Sequence, residues 1–322
     1  MKLGVFTVPY GGLPFEEALD KLAGMGIEAV EIGTGNYPGD AHCKPDELLA
    51  DQDRAHRFRK AVESRGMIIS ALSQHGNPLH PQEDRARKDH DVWRKTVQLA
   101  ELLEVPVVNA FSGCPGDRDG ARYPNWVTCP WPEDFLEILD WQWNEKVIPY
   151  WTEQAAYAKE HGINIGFEMH PGFVVYNPET LIHLREAAGE AVGANLDPSH
   201  LFWQGIDAVE AVKTLGREGA IFHVHAKDTY VDVGNVRRNG ILDTKHYGQA
   251  LDRAWVFRTV GYGQGEKTWR DFVSALRATG YDYVLSIEHE DSLMSIDEGL
   301  GKAVELLRAI MLREQPGEMW WA

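Results

Sequence analysis

Eight short β-rich runs alternate along the chain with segments of amphipathic helical pattern, and this alternation restricts the fold more than any other feature. The runs lie at 3–8, 27–33, 67–74, 105–112, 163–170, 192–200, 221–228 and 283–291. Helical patterns lie between them, for example at 15–25, 82–103, 144–161, 178–188, 267–279 and 296–312. Regular alternation of strands and helices favours a parallel sheet whose strands are joined by helices.

Two architectures fit this alternation, a closed barrel and an open doubly wound sheet. An open sheet that binds a dinucleotide has a GxGxxG turn after its first strand, and TVPYGGLPFEEAL (7–19) does not contain that motif. Eight units without a break in composition predict an α/β fold, a (β/α)₈ TIM barrel that spans 1–322 as a single domain. Long insertions are predicted after strands 4 and 7, at 114–143 and 229–266, on the face where barrel active sites lie.

Charge and composition exclude several classes of protein. The chain has 49 acidic and 32 basic residues, a net charge of −17, and such a surface repels the phosphates of nucleic acid. No run of 18 apolar residues occurs, so no membrane span is expected. The N-terminal MKLGVFTVPYGG reaches proline and glycine too early for a signal peptide. Cys43, Cys114 and Cys129 lie outside any CxxC motif, so we expect free thiols and a cytoplasmic location.

Side chains that commonly bind metals stand at the ends of the last four predicted strands. They are Glu168 in GFEMH, Asp197 in ANLDPSH, His225 in FHVHAKD and Glu288 in LSIEHED. Each of them alone has an ordinary explanation as a helix cap, a loop charge or a core histidine. Together they would meet at one mouth of a barrel, where three carboxylates repel one another unless a divalent cation neutralises them. This oxygen and nitrogen set suits Mn²⁺, Mg²⁺, Co²⁺ or Zn²⁺, so the set predicts a metal site.

The segments FEMHP, NLDPSH, HVHAKD and SIEHED resemble the sugar phosphate isomerase/epimerase superfamily. This xylose isomerase-like TIM-barrel group includes ketose 3-epimerases, inosose dehydratases and endonuclease IV repair enzymes, and the resemblance covers essentially the whole chain. It implies that Glu168, Asp197, His225 and Glu288 hold one divalent metal, most commonly manganese. It also implies that Glu168 and Glu288 act as catalytic acid and base, and that His200 binds the substrate.

Other substrate-binding positions follow less directly from the resemblance. The group's basic substrate residue, soon after the metal-binding histidine, has no counterpart at Val231, because the insertion 229–257 intervenes. Arg258, in RTVGYGQGEKTW, is the candidate for the displaced residue. His75, at the end of strand 3, either lines the site or has a structural role in a turn, and the same alternatives hold for His170.

Two further segments are ambiguous. Tryptophans of the first insertion, with one after strand 6, form either a wall that stacks on a sugar or a packed cluster or oligomer interface: Trp126, Trp131, Trp141, Trp143 and Trp203. The glycines of GYGQG (261–265) suggest a nucleotide loop, but they precede a helix without the strand that such a loop follows.

These observations predict a metal-dependent isomerase or epimerase that acts on a keto-sugar or related polyol through a metal-stabilised enediolate. The same intermediate can expel a β-substituent, so the alternative is a lyase, either a 3-keto-glycoside β-eliminase or an inosose-type dehydratase. An AP endonuclease would need more metal ligands and a basic groove for DNA. A sugar-binding module without activity predicts missing ligands, whereas all four are present. The expected partner is a small carbohydrate, phosphorylated or not, and a homo-oligomer is compatible with the sequence.

Overall fold

The parallel strands close into an eight-stranded barrel. In the computed structural model, which describes residues 1–314 and 317–321, the strands are β1 (Lys2–Phe6), β2 (Ala29–Gly33), β3 (Ile68–Ser73), β4 (Val107–Ala110), β5 (Asn164–Glu168), β6 (Val192–Leu196), β7 (Ile221–Ala226), β8 (Asp228–Val231), β9 (Trp255–Arg258) and β10 (Val284–Ile287). Strands β1 to β7 pair in chain order, and β10 joins β7 to β1, while β8 and β9 form a separate antiparallel pair. The predicted (β/α)₈ TIM barrel is therefore confirmed.

Helices surround the barrel. They are α1 (Phe15–Gly24), α2 (Pro45–Leu49), α3 (Gln52–Glu63), α4 (Glu83–Leu103), α5 (Asp134–Trp141), α6 (Ile148–Glu160), α7 (Pro178–Ala188), α8 (Pro198–Gln204), α9 (Ala208–Arg217), α10 (Val233–Asn239), α11 (Glu266–Ala278) and α12 (Ile296–Ile310). A π-helical segment, Gln142–Val147, joins α5 to α6. Helices α3 and α9 lie outside the helical segments given as examples from the sequence; α3 buries Ala55 and Val62, and α9 buries Ala208, Ala211, Val212 and Leu215. Within the described ranges, no helix combines the length and apolar character needed to cross a membrane.

Side chains that alternate along each strand divide the molecule into an apolar shell and a polar interior. On β5, Phe167 points outward and packs edge to face on Trp151, with ring centroids 4.5 Å apart. The next position, Gly166, points inward, where a Cβ atom would lie 2.5 Å from Asn109 Oδ1. The apolar core therefore lies between the strands and the helices. The barrel interior holds buried polar side chains, among them Glu31, Ser70, Asn109, Asn195, His223 and Ser286.

The second insertion is fastened to the barrel by a buried carboxylate, that of Asp228. It accepts hydrogen bonds of 2.8–3.1 Å from the backbone N–H groups of Thr229, Gly261, Gly263 and Gln264 and from the indole N–H of Trp269. Gly263 comes so close that a Cβ atom would lie 2.4 Å from the carbonyl oxygen of Thr229. The N–H groups of Gly261, Gly263 and Gln264 therefore point at an internal carboxylate and do not face outward toward a nucleotide.

The cysteines differ in burial, and this predicts their reactivity. All three are unpaired, with Cys43 and Cys114 buried and Cys129 exposed. Burial raises the pKa of the Cys114 thiol to about 12. The pKa of the Cys43 thiol is raised even more, mainly by burial and to a smaller extent by the negative charge of Asp40. Because the thiolate is the reactive form, we expect one thiol per native chain to react rapidly with Ellman's reagent and all three after unfolding. Cys129→Ser should remove the rapid phase, and a rapid phase that persists would contradict the prediction.

Candidate active site

The four strand-end residues converge at the mouth of the barrel. Glu168 ends β5, Asp197 and Glu288 directly follow β6 and β10, and His225 lies on β7. One ligand atom from each lies within 4.8 Å of the other three. His225 Nδ1 is 3.0 Å from Glu288 Oε2, 3.5 Å from Glu168 Oε2 and 3.8 Å from Asp197 Oδ2. Parallel strands end at one rim, so residues far apart in sequence meet there, as the sequence predicts.

The other nitrogen of His225 faces a buried carboxylate below the mouth. His225 Nε2 donates a hydrogen bond to Glu31 Oε2, at 2.9 Å, and Glu31 also accepts from Ser73 Oγ, Asn109 Nδ2 and Ser286 Oγ. This arrangement directs Nδ1 toward the three carboxylates at the mouth. Burial alone lowers the pKa of His225, but Glu31 and Glu288 outweigh it and raise the pKa well above its ordinary value.

The donor set fits a divalent cation. Three carboxylates and one imidazole nitrogen are the hard and borderline ligands that Mn²⁺ and similar ions accept. Asp197 Oδ1 accepts a hydrogen bond from the Ser199 N–H at 2.8 Å. Its Oδ2 is buried and accepts no hydrogen bond of normal geometry from the described residues, although Lys227 Nζ lies 3.0 Å away. Because Asp197 Oδ2 is ion-paired with Lys227 but accepts no hydrogen bond from the described residues, it is available as a metal ligand.

Lys227 supplies a fixed positive charge at the rim. Its Nζ lies 3.0 Å from Asp197 Oδ2, 2.8 Å from Glu288 Oε2 and 3.2 Å from Glu290 Oε2. Burial alone lowers the pKa of Lys227, but these three carboxylates raise it well above its ordinary value. The ammonium group therefore stays charged and offsets part of the repulsion among the carboxylates.

Two of the predicted substrate histidines meet Glu168. His75 Nε2 lies 2.9 Å from Glu168 Oε2, and His200 Nε2 lies 3.0 Å from Glu168 Oε1. Burial alone raises the pKa of Glu168. The charge of His75 and the hydrogen bond from His200 outweigh this effect, so the pKa lies well below its ordinary value. Glu168 is therefore ionised, and each of its oxygens has an imidazole neighbour.

His170 is held as a neutral imidazole. Its ring centroid lies 4.1 Å from that of His200. Burial, followed by the charge of His200, lowers the pKa of His170 to about 3. His170 Nδ1 is 2.7 Å from the carbonyl oxygen of Pro171, which can only accept, so Nδ1 carries the proton and Nε2 does not.

Arg258 is the predicted site residue that the structure places apart from the rest. Its Nε donates to Asp291 Oδ2 at 3.0 Å, and its guanidinium lies 5.7 Å from the centre of the Tyr262 ring. It lies on β9, paired with Asp228. A substrate-binding role for Arg258 therefore stays a prediction, and its contacts support a structural one.

Sequence reasoning missed Glu31 and did not assign Lys227 to the carboxylates. A carboxylate inside the apolar run IEAVEIG is the signal that identifies Glu31, since burying it is costly without partners. Adjacency to His225 in HAKD makes Lys227 and Asp228 candidates for orienting either that histidine or a substrate hydroxyl. The structure separates them: Lys227 faces the mouth, and Asp228 faces the GYGQG turn.

Two cavities adjoin at the mouth. The first, called the polar cavity here, has a volume of about 360 Å³ and is lined in part by Phe6, His75, Glu168, Lys227 and Glu288. The second, the aromatic cavity, has a volume of about 610 Å³ and is lined by Tyr37, Phe111, His170, Phe173, Tyr247, Val256, Phe257, Glu290 and Ser292. Their shared lining residues are Tyr37, Phe111, His170 and Glu290.

The tryptophans considered for a sugar-stacking wall lie elsewhere. Trp203 stacks on Trp255, with centroids 4.6 Å apart, inside a small cluster under the second insertion. Trp126 packs edge to face on Tyr176, and Trp143 on His183. None of these tryptophans lines the polar or the aromatic cavity. For Trp126, Trp143 and Trp203 these contacts favour packing, whereas Trp131 is exposed.

Comparison with known proteins places this architecture in a family. The model of the xylose isomerase-like TIM barrel family matches residues 19–310. A Bacillus subtilis (strain 168) protein named "Uncharacterized protein YfiH" is 40% identical over 311 residues, which are 96% of this chain and 98% of that protein.

Solved structures agree on the fold. A probable 3-DHS dehydratase, AsbF from Bacillus anthracis, matches with a TM-score of 0.65 at 16% identity, over 96% of this chain and 99% of that one. A D-psicose 3-epimerase from Clostridium cellulolyticum H10 matches with a TM-score of 0.59 at 14% identity, over 97% of this chain and 99% of that one. The family model and the Bacillus subtilis relative together show that the chain belongs to the xylose isomerase-like TIM barrel family.

Proposed function

We propose that the protein is a divalent-metal-dependent isomerase or epimerase of a keto-sugar or related polyol. The observation that carries this proposal is the convergence of Glu168, Asp197, His225 and Glu288 at one mouth. Mn²⁺ is the cation that we favour, and Mg²⁺, Co²⁺ and Zn²⁺ suit the same donors.

The chain's own residues supply what epimerisation requires. A divalent cation at this site would polarise the carbonyl of a hydroxyketone and acidify the neighbouring C–H bond. Glu168 and Glu288 both line the polar cavity. Glu168 ends β5 and Glu288 follows β10, and these two strands are not neighbours in the barrel. One carboxylate can therefore remove a proton from one face of the substrate while the other returns a proton to the opposite face. His75 and His200 hold Glu168 in position for this step.

A lyase is the second candidate, and the aromatic cavity favours it. Proton removal next to a 3-keto group can expel a β-substituent instead of being followed by reprotonation. The aromatic cavity offers room for such a substituent, and His170 lies where the two cavities meet. His170 or His200 would then be the residue beside the leaving group.

Proton exchange in D₂O tests the proposal. A panel of ketoses and 3-keto-glycosides is incubated with EDTA-treated protein and with protein reloaded with Mn²⁺, and products are followed by NMR and mass spectrometry. Metal-dependent deuterium incorporation with all substituents retained supports the epimerase. Metal-dependent loss of water or of an aglycone supports the lyase. Conversion of any substrate at the same rate with and without metal would contradict both.

Glu31→Gln is expected to weaken Mn²⁺ binding about 10- to 100-fold, the usual cost of losing a partner that orients a ligand. A glutamine keeps one oxygen but brings an amide N–H₂ among the donors that surround Glu31. The ring of His225 then loses its fixed orientation. Isothermal titration calorimetry with MnCl₂ measures the change directly.

Glu28→Gln is the matched control for this measurement. Glu28 is near the same strand but bonds to the Leu3 N–H and to Arg313 on the outside of the barrel. It should bind Mn²⁺ as the unaltered protein does. Equal Mn²⁺ affinity of the Glu31→Gln variant and the control would show that Glu31 does not position His225.

A further inference from the structure

The aromatic cavity is built from two stacked pairs of rings. Phe111, which follows β4, stacks on Phe173 with centroids 4.3 Å apart and an interplanar angle of 22°. Tyr247 and Phe257, both from the second insertion, stack with centroids 5.8 Å apart and an angle of 20°. Ring faces of this kind favour a flat apolar occupant.

The cavity is continuous with the proposed reaction site. His170 lies with its ring centroid 4.9 Å from that of Phe111 and 4.1 Å from that of His200, which contacts Glu168. Tyr37 and Glu290 also line both cavities. An occupant of the aromatic cavity can therefore be covalently attached to a sugar held in the polar cavity.

The polar cavity alone has room for a small sugar. Its volume of about 360 Å³ falls within the range of roughly 300–1,000 Å³ for small-molecule sites. The aromatic cavity, at about 610 Å³, is space beyond what the sugar needs.

Charge and polarity restrict what fills this additional space. The described lining of the aromatic cavity contains no lysine or arginine, and its acidic residue is Glu290. A phosphate group would therefore find no unpaired cation in this lining. Lys227, whose Nζ lies 4.7 Å from the centre of the Phe257 ring, is paired with Asp197, Glu288 and Glu290. Arg258 is paired with Asp291. A second sugar ring can stack on an aromatic face, but Phe111, Phe173, Val256 and Phe257 offer its hydroxyl groups no hydrogen-bond partner, and hydroxyls without partners are costly to bury.

We propose that the substrate is a keto-glycoside whose aryl aglycone occupies the aromatic cavity while its sugar occupies the polar cavity. This inference rests on the proposed function and names its substrate class. It assigns to Phe173 and Tyr247 a role in specificity, separate from the residues that would hold the metal.

Binding of unreactive glycosides tests the proposal without turnover. Phenyl β-D-glucopyranoside, methyl β-D-glucopyranoside and cellobiose are titrated at up to millimolar concentration into Mn²⁺-loaded and EDTA-treated protein by calorimetry. We expect the phenyl glycoside to bind about 10-fold more tightly than the methyl glycoside, because of the added apolar and ring contacts. Phe173→Ala should abolish this preference and leave methyl glycoside binding unchanged.

Controls separate this proposal from the proposed function. Phe135→Ala removes an exposed ring of α5 that lines neither cavity, and should keep the preference. Tyr247→Ala, at a half-exposed position, repeats the Phe173 test on the other ring pair.

Equal binding of phenyl and methyl glycosides, tighter binding of cellobiose, or no binding of any probe would overturn the aryl proposal. Metal-dependent binding of sugars without an aryl preference would leave the proposed function standing. Aryl preference without any dependence on metal would instead count against the metal-dependent function.

Discussion

Glu288→Gln is expected to reduce Mn²⁺-dependent proton exchange by about 10³-fold or more, since one change removes both a metal ligand and a general base. The Glu288 side chain is 16% exposed, and its neighbours are His225 and Lys227 at the rim. Its loss should therefore leave the barrel folded. Exchange rates in D₂O, with Mn²⁺ titration and circular dichroism on the same sample, measure the activity, the metal affinity and the fold.

Glu298→Gln provides the matched control for this substitution. Glu298 lies in the first turn of α12, is exposed and pairs with Lys302, and its replacement should change neither metal binding nor exchange. If Glu288→Gln retains full activity when Mn²⁺ is added back, then Glu288 is neither ligand nor base, and the assignment of this site is wrong.

Asp228→Asn is expected to lower the free energy of unfolding by about 3 kcal/mol or more. The two carboxylate oxygens accept hydrogen bonds from five N–H groups, those of Thr229 on β8, of Gly261, Gly263 and Gln264 in the GYGQG turn, and of Trp269. Asparagine replaces one oxygen with a donor, which leaves buried N–H groups unpaired at about 1–3 kcal/mol each. Urea unfolding followed by tryptophan fluorescence measures the difference.

The control is the same substitution at Asp252, an exposed aspartate of the same insertion. Asp252→Asn should change the free energy of unfolding by no more than about 0.5 kcal/mol. A loss below about 1 kcal/mol for Asp228→Asn would mean that the insertion does not depend on this carboxylate.

The barrel was predictable because its signals are local. Each strand run carries its own apolar pattern and is followed by turn and helix signals, and no tertiary information is needed to count eight such units. The four strand-end residues were predictable for a related reason. A parallel barrel brings the ends of all its strands to one rim, so Glu168 and Glu288 meet although they are far apart in sequence. Their roles in metal binding and catalysis stay predictions.

Other features depend on contacts that no local pattern encodes. Glu31 lies 194 residues before His225, and the pairing of the two depends on barrel closure and on which face of β2 turns inward. The resemblance suggested Arg258 as a substrate-binding residue, but in the folded chain Arg258 donates a hydrogen bond to Asp291, in the segment after β10. The rings that line the aromatic cavity come from several loops and from β9, whereas composition offered the tryptophans only as one of two alternatives, a wall that stacks on a sugar or a packed cluster or interface.

The sequence by itself determined the eight β/α units, the long insertions after strands 4 and 7, and the residues at the strand ends. These follow from periodicity and chain order, which act over short distances. Tertiary structure alone decided the partner of His225, the pairing of Lys227 with the rim carboxylates, and the shape of the two cavities. These depend on which side chains, distant in sequence, are packed together when the barrel closes. A buried charge is stable only when an opposite charge or a hydrogen-bond partner lies beside it, and the sequence does not say which residue that is.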